Sequence, residues 1–219
     1  MNEHEFEPVK GLPEYLPEGE HLLWQGAPSF RGLALRAFHV RKVAIYFGLL
    51  MAWRAGTDLA AGYTAAMAAG SALGLLPLAL LAVGLLLLLA RLNARATVYS
   101  ITNRRVVMRF GVALPMALNL PFKAIDSAAL LRHADGSGDL PLTLAEGQRI
   151  GYFVNWPYVR PGRKGGSQPM LRSVPDADAV AVLLAQALAD HAGVPVQAAA
   201  RDPQARQSRA SEPQLAATA

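Results

Sequence analysis

An uncharged, apolar stretch over residues 65–90 limits what this chain can fold into more than any other feature of its sequence. The stretch contains two runs rich in leucine, at 75–81 and 85–89, and no Asp, Glu, Lys or Arg. A helix needs about 20 apolar residues to cross a bilayer. Pro77 is compatible with such a helix because neighbouring groups can satisfy the carbonyl that it leaves free. We therefore predict a transmembrane helix at about 67–90.

A shorter apolar segment at 43–53 precedes this stretch and is too short to cross a bilayer alone. Arg54 and Asp58 follow it at i, i+4 spacing, where their charges can neutralise each other on one helix face. Residues 59–63 can then extend the helix. We predict a first span at about 43–62 and, with the second, a transmembrane helical hairpin within 36–92.

The positions of lysine and arginine predict the orientation of this hairpin, because cytoplasmic flanks are enriched in both. The basic residues before the first span are Arg31, Arg36, Arg41 and Lys42, those after the second are Arg91, Arg95, Arg104, Arg105 and Arg109, and Arg54 lies between. We therefore expect both termini in the cytoplasm. Splitting the long second stretch would instead give three spans and place the soluble part outside, against this charge distribution.

Composition excludes several classes of protein. The chain is 53% hydrophobic and 17% charged, which is too apolar for a disordered or ordinary soluble protein, while 19 glycines and 15 prolines are too many for an all-helical channel. The absence of cysteine excludes disulfides, thiolate metal sites and cysteine nucleophiles. The net charge is +5 and the cations flank apolar segments, which favours an anionic membrane surface over nucleic acid as the partner.

Residues 1–35 are rich in glutamate and proline, and we expect them to form a cytoplasmic arm without a helix or strand period. The apolar group around Trp24 either binds a partner or tucks the tryptophan onto a domain. In the second span, Gly70 and Gly74 form a small-xxx-small pair that lets helix backbones approach closely. That pair is either a homodimer seam or a contact with the chain's own first span.

From residue 96 the apolar pattern changes to a period of two. We predict strands at 97–101, 106–110, 117–120, 124–132, 140–144 and 149–154, followed by an amphipathic helix with apolar residues at Val180, Leu183, Leu184, Ala187 and Leu188. Ser173 and Asp176 have the spacing of a capping box, and Gly193 lies beyond the helix end. The predicted fold is therefore an α+β membrane protein, in which the hairpin precedes a PH-like antiparallel β-barrel or sandwich (96–192) that a C-terminal helix closes. The tail at 193–219 has no period and is expected to be disordered.

Several short segments, taken in order, are similar to one known family. The hairpin Tyr99–Gly111 resembles the opening hairpin of bacterial PH-like domains that often follow a pair of membrane helices. The other segments are Trp24-Gln-Gly26, Ala37-Phe-His39, Trp53-Arg54, Asn119-Leu-Pro-Phe-Lys-Ala-Ile125, Gly136-Ser-Gly-Asp-Leu140, Trp156-Pro-Tyr-Val-Arg-Pro161 and Pro169-Met-Leu-Arg-Ser173. Over 5–192 the chain resembles the PuhB-type photosynthetic complex assembly proteins of purple bacteria.

That resemblance implies a membrane-anchored assembly factor, or chaperone, for the photosynthetic reaction centre and its core light-harvesting 1 antenna. Its partners would be subunits of those complexes and membrane lipids, and its location the bacterial inner (intracytoplasmic) membrane. An alternative of a different class is a PH-like lipid-binding membrane module with no photosynthetic client. The segments 37–41, 119–125 and 156–161 favour the first, because a plain lipid-binding module does not require them.

No catalytic or metal site can be assembled from the sequence. The five histidines are scattered, without an HExxH motif or an i, i+4 pair. Asp135 and Asp139 bracket a glycine-rich loop similar to a calcium loop, but Gly and Leu stand where it needs oxygen ligands, so we predict a hairpin turn. We expect no enzyme activity and no resident cofactor.

Three groups remain as candidate binding residues. His39 lies at the predicted membrane boundary, where it either contacts bacteriochlorophyll transiently or serves as an interfacial polar anchor. The cations Arg104, Arg105 and Arg109 either bind anionic lipid headgroups or only form the basic flank of the span. Trp156, Tyr158 and Arg160 combine residue types enriched at interface hot spots on a proline-bounded loop, and we predict that they contact a client or a second copy. The alternative for Trp156 is that it closes the end of the barrel.

Overall fold

The computed structural model describes residues 15–145, 147–148, 150–162 and 166–193 of the chain. Residues 1–14 of the predicted arm and 194–219 of the predicted disordered tail lie outside the described residues. The predicted domain limits at 35, 92 and 192 stay predictions.

Two antiparallel helical arms form the first half of the described chain. A short helix α1 (Phe30–Gly32) and a π-helical turn (Leu33–Ala37) lead into α2 (Val40–Ala60), and α3 (Ala65–Leu73) and α4 (Leu76–Ala96) return along it. Pro77 falls in the first turn of α4, where its missing N–H is not needed for the helix. The predicted second helix is therefore two consecutive helical segments. The return arm extends past both predicted limits at 67–90, whereas α2 begins three residues before the predicted span at 43–62 and ends two residues short of it.

The return arm is the part of the molecule that suits a membrane. Taken together, Ala65–Ala96 is 32 residues long, with a mean hydropathy of 2.7 over its most apolar 18-residue window. Only 6% of that window is buried, whereas the core helix of a soluble protein would be mostly buried. Within the described residues it is the one helix long and apolar enough to cross a membrane. Helix α2 also exposes large apolar side chains, among them Leu49 and Trp53.

The remaining chain forms two open antiparallel sheets. The first has the order β1 (Leu22–Gly26), β2 (Val98–Thr102), β3 (Arg105–Phe110) and β4 (Met116–Pro121). The second contains β5 (Ile125–Ala128), β6 (Leu131–Arg132), β7 (Gly138–Leu144), β8 (Val159–Pro161) and β9 (Ser167–Val174) in the order β5-β7-β9-β8, with β6 also paired to β7. Because no pairing among the described strands joins the two sheets, the barrel alternative of the prediction is wrong.

The prediction that the first 30 residues lack a strand is wrong for β1. Leu22–Gly26 pairs antiparallel with β2, with Trp24 opposite Ile101 and Gln25 opposite Ser100. Trp24 packs against the hydrophobic core, which confirms the tucked alternative. The glutamate and proline content that masks any local period does not prevent pairing with a strand far along the chain.

Several elements of the second sheet also differ from the sequence-based expectation. The predicted strand at 149–154 contains instead a short helix α5 (Tyr152–Asn155), and β8 and β9 are strands that the pattern did not indicate. Pro169 lies inside β9, and proline within a run is normally a signal against a strand. Helix α6 (Ala177–Ala192) starts after Asp176, which is in the left-handed conformation and makes no side-chain capping bond, so the predicted capping box is wrong. Gly193 ends the helix in the left-handed conformation, as predicted.

One continuous core joins the sheets to the base of the helical arms. It contains Tyr99 and Met108 from the first sheet, Leu142 and Leu171 from the second, and Leu184 from α6. It also contains side chains of the helical part, namely Leu33, Ala34, Ala37, Phe38, Val40 and Ala90. The bases of the helical arms therefore pack into the core of the folded domain rather than being joined to it by a flexible linker.

Candidate functional site

We call Phe38–Val40, at the start of α2, and Ala96–Thr97, at the end of α4, the roots of the helical arms. The segment Trp156–Tyr158 contacts both roots. The rings of Phe38 and Trp156 meet edge to face, with centroids 5.4 Å apart. The hydroxyl oxygens of Thr97 and Tyr158 lie 2.5 Å apart and form a hydrogen bond. This segment therefore fixes the position of both arms relative to the sheets.

Tyr158 lies inside the protein, with 0% of its surface exposed. Its ring is 6.0 Å from that of Tyr99 and 5.1 Å from that of Phe110, measured between centroids. Burial raises the pKa of Tyr158 to about 12, although the bond from Thr97 opposes that shift. The prediction that Tyr158 contacts a partner is therefore wrong for this conformation, because its side chain does not reach the surface.

Trp156 and Arg160 do reach the surface. Trp156 is 46% exposed, and its ring packs against that of Phe38. Arg160 donates from Nε to the side-chain oxygen of Gln168 at 2.9 Å, and Gln168 donates in turn to the Thr143 hydroxyl at 3.2 Å. These bonds hold the guanidinium at the edge of the second sheet. A role for Trp156 and Arg160 in binding a client stays a prediction.

A second connection joins the helical arms to the β6–β7 turn. The Arg36 guanidinium donates to the Asp135 carboxylate at 2.5 Å and to the Ser137 hydroxyl at 2.8 Å. The hydrogen bond from the Ser137 hydroxyl, followed by the bond from Arg36, lowers the pKa of Asp135 to about 2. The prediction of a hairpin turn here is confirmed, and the Asp135 carboxylate is committed to structural contacts.

A third connection forms around Ser173 at the end of β9. Its backbone is in the left-handed region at φ 52°, its N–H donates to the Asp139 carboxylate at 2.7 Å, and its carbonyl accepts from the Ser29 N–H at 2.8 Å. Gly32 packs so closely that an added Cβ would lie 2.5 Å from the Ser173 hydroxyl. Sequence reasoning treated Ser173 as a helix cap and missed this junction, because its partners lie far away in the chain.

The predicted headgroup cluster of three arginines does not form one patch. Arg105 makes a two-pronged ion pair with Glu20, at 2.7 and 3.0 Å, and the Glu20 side chain is only 3% exposed. Arg109 lies opposite Val98, beside the end of α4, whereas Arg104 lies in the turn at the other end of the β2–β3 hairpin. At about 3.4 Å per residue, those two ends are roughly 15–20 Å apart. Lipid binding by Arg104 and Arg109 stays a prediction, while Arg105 holds the N-terminal segment.

Arg104 lines a surface cavity of about 600 Å³ together with Lys123, which the sequence did not single out. The other lining residues are Asn103, Pro121, Phe122, Asp190 and His191. The His191 ring meets Phe122 edge to face at 5.6 Å. Two cations make this cavity suitable for an anionic group, although Asp190 opposes that charge. Among the described residues, no group of three His, Cys, Asp or Glu side chains could hold a metal ion.

Polar and small residues organise the contact between the helical arms. Arg54 and Asp58 form the predicted i, i+4 ion pair at 3.4 Å, and Asp58 also accepts a hydrogen bond from Ser71 across the two arms. The buried small residues of α3 are Ala68 and Ala72. Gly70 and Gly74 are exposed instead, and a Cβ added at Gly70 would meet nothing within 4 Å. The alternative in which this glycine pair packs on the chain's own first span is therefore wrong, and the homodimer seam stays a prediction.

His39 is exposed and occupies the residue immediately before α2, in the left-handed conformation at φ 53°. Its carbonyl accepts backbone bonds from Lys42 and Val43, while its side chain does not cap the helix. The left-handed residue turns the chain from the π-helical turn into α2. The location of His39 at a membrane boundary and its contact with pigment both stay predictions.

The chain is similar to known proteins in two comparisons. Residues 42–188 match the model of the family described as "Bacterial PH domain". The chain is also 38% identical over 191 residues to an uncharacterized 23.7 kDa protein in the puhA 5′ region of Rhodobacter capsulatus, an alignment that covers 85% of this chain and 89% of that protein. No solved structure matches the chain significantly.

Proposed function

Because this chain belongs to the bacterial PH domain family and its Rhodobacter capsulatus relative lies in the puhA 5′ region, we propose that it is a membrane-anchored assembly factor for the photosynthetic reaction centre and the light-harvesting 1 complex. The observation that carries this proposal is the extent of that similarity, since 38% identity covers 89% of a protein from a photosynthesis-related gene region. The proposed role is that of a scaffold, with no catalytic step and no resident cofactor.

The proposed location is the inner (intracytoplasmic) membrane, which the chain crosses twice. Ala65–Ala96 supplies the more apolar crossing, and α2 crosses beside it with Asp58 paired to Arg54 and bonded to Ser71. Arginines and lysines flank both ends of the arms that join the sheet domain. By the positive-inside rule, the sheet domain and both termini then lie in the cytoplasm.

The geometry suggests how such a scaffold works. The roots of both arms are fixed to the sheets by the Thr97–Tyr158 bond, the Phe38–Trp156 contact and the Arg36–Asp135 ion pair. In this arrangement a client places one helix against the arms and its extramembrane part on the sheet domain. The distance between those two parts of the client is then defined. Trp156, exposed at the root of α2, and Arg160, partly exposed at the edge of the second sheet, are the residues proposed to contact that extramembrane part.

Copurification from the native host tests the proposal. The tagged full-length chain is solubilised from phototrophic membranes in mild detergent, and reaction-centre and light-harvesting 1 subunits are quantified in the eluate. We expect both sets of subunits with the wild-type chain and a clear loss with the double variant Trp156→Ala/Arg160→Ala. Lys123→Ala is the matched control, because Lys123 is an exposed cation that lines the separate Arg104 cavity.

The outcomes separate the two function classes. Equal recovery of clients with the double variant and the control would remove Trp156 and Arg160 from the client surface. A membrane-inserted chain that recovers lipid and none of these subunits would instead favour the alternative, a PH-like lipid-binding membrane module. That alternative is supported by the family match alone.

A further inference from the structure

Two loops expose large apolar side chains beside the roots of the helical arms. The first comprises residues 150–155 and carries Phe153, which is 91% exposed, and the exposed Val154. The second comprises residues 111–115 and carries Leu114, which is 78% exposed, and the exposed Val112. Both loops consist of uncharged residues throughout. We refer to them as the apolar loops.

The first apolar loop is fixed to the root of α2. The residue that follows it, Trp156, packs against Phe38, two residues before α2 begins. Within the loop, the Asn155 side chain donates to the Gly151 carbonyl at 2.8 Å, and the Tyr152 and Phe153 rings meet edge to face. The loop therefore has an ordered shape that presents Phe153 outward.

The second apolar loop is fixed to the root of α4. It connects β3 to β4, and the end of β3 lies beside the start of β2, as the pairing of Val98 with Arg109 shows. Strand β2 begins two residues after α4 ends. Phe110, just before the loop, packs on the same Tyr158 that bonds to Thr97. Both loops thus lie at the end of the sheet domain from which the helical arms leave.

We propose that the apolar loops insert into the interfacial layer of the membrane that the helical arms cross. The sheet domain then contacts the bilayer surface directly. This inference rests on the membrane anchoring in the proposed function. Exposed apolar residues of this size favour the boundary between headgroups and acyl chains. The exposed cations Arg41, Lys42 and Arg95 surround the same roots and suit anionic headgroups.

A lipid surface fits these loops better than a protein partner does. The loops carry no charged group that would select a partner by electrostatic complementarity, and they lie at two separate roots instead of forming one groove. A bilayer that both arms cross at their roots contacts both loops at once. The contact would fix the tilt of the sheet domain, and with it the direction in which Trp156 and Arg160 face a client.

Site-specific fluorescence tests the inference in the full-length chain. The protein has no cysteine, so single cysteines can be placed at Phe153→Cys and Leu114→Cys and labelled with an environment-sensitive dye. Arg104→Cys, in the turn at the far end of the β2–β3 hairpin, is the matched control, and Leu81→Cys within α4 reports on membrane anchoring. The labelled proteins are reconstituted in vesicles that contain anionic lipid.

We expect the dyes at 153 and 114 to emit at shorter wavelength than the dye at 104, to be quenched by spin labels on shallow acyl positions, and to be protected from iodide. The dye at 81 should be quenched by deep spin labels. If the dye at 81 is in the bilayer while those at 153 and 114 are as open to iodide as that at 104, the inference is overturned and anchoring stands. If the dye at 81 is exposed to water, the proposed membrane function itself fails.

Discussion

The Tyr158 hydroxyl forms a hydrogen bond of 2.5 Å with the hydroxyl of Thr97, the residue that directly follows α4. Tyr158 leads into β8 at the edge of the second sheet, so this buried bond connects the apolar helix to a part of the domain far along the chain. Because burial raises the pKa of Tyr158 to about 12, the phenol stays neutral and the bond persists at every physiological pH.

Tyr158→Phe should destabilise the folded protein by about 1–3 kcal/mol, because it leaves the buried Thr97 hydroxyl without its partner. Thermal or denaturant unfolding in detergent, followed by circular dichroism, measures the change. The double variant Thr97→Val/Tyr158→Phe removes both hydroxyls and should lose less stability than the sum of the single variants. Strictly additive losses would show that the two side chains are not coupled.

Arg105→Ala should lower stability by about 2 kcal/mol, because it leaves the nearly buried Glu20 carboxylate unpaired. The loss is smaller than for a completely buried pair, since the Arg105 side chain is 27% exposed. The neighbouring Arg104→Ala, an exposed turn residue, is the matched control and should be nearly neutral in the same unfolding measurement. Equal stability of the two variants would contradict a structural role for Arg105.

The contact between Arg36 and Asp135 should depend on pH only in acid. The folded-state pKa of Asp135 is lowered from 3.8 to about 2. The ionised carboxylate therefore adds stability that is fully present above pH 3.8 and is lost as pH falls through about 2. Asp135→Asn should therefore cost no more than about 1 kcal/mol near pH 7, because the group is largely exposed. The difference from wild type should close between pH 4 and pH 2, and a difference that stays constant over that range would exclude the ionised carboxylate, with its bonds from Ser137 and Arg36, as its source.

His39 should respond differently to glycine and to alanine. His39→Gly relieves the left-handed backbone at φ 53° and should raise stability by about 0.5–1 kcal/mol, whereas His39→Ala keeps that conformation and should not. If the imidazole also contacts bacteriochlorophyll, both variants purify with less pigment. Unchanged pigment absorption in both would remove His39 as a pigment contact.

A substitution at Gly70 tests whether the helical arms of one chain pack against those of a second copy. A Cβ added at Gly70 meets nothing of its own chain within 4 Å, so Gly70→Leu should leave the single copy folded but abolish a dimer that uses the Gly70 and Gly74 face. Gly84→Leu, also in open surroundings on the return arm, is the matched control. Crosslinking in membranes should show a dimer band for wild type and Gly84→Leu and none for Gly70→Leu. A band of the same intensity in all three would place any dimer contact elsewhere.

The elements that the sequence predicted well are those determined by neighbours along the chain. The apolar length of α4, the β2–β3 hairpin, the Arg54–Asp58 pair and the apolar stripe of α6 each depend on local spacing and appear in the structure. Such patterns determine how a segment folds and which of its faces is apolar.

The parts that the sequence did not predict depend on partners far along the chain. Strand β1 is defined by pairing with β2, and β9 contains Pro169, which lies opposite Val159 of β8. The combination of tyrosine, tryptophan and arginine predicts a surface hot spot that includes Tyr158, yet its ring packs against Tyr99 and Phe110. The composition of a short loop does not show which side chains turn inward.

The near-infrared absorption of host membranes tests the central claim, assembly of the photosynthetic complexes, most directly. Membranes from an in-frame deletion of this gene are compared with those of the wild type and of a strain that expresses the chain from a plasmid. The account predicts a selective loss of the reaction-centre and light-harvesting 1 bands, with pigment synthesis intact and recovery in the complemented strain. An unchanged spectrum with normal phototrophic growth would contradict it.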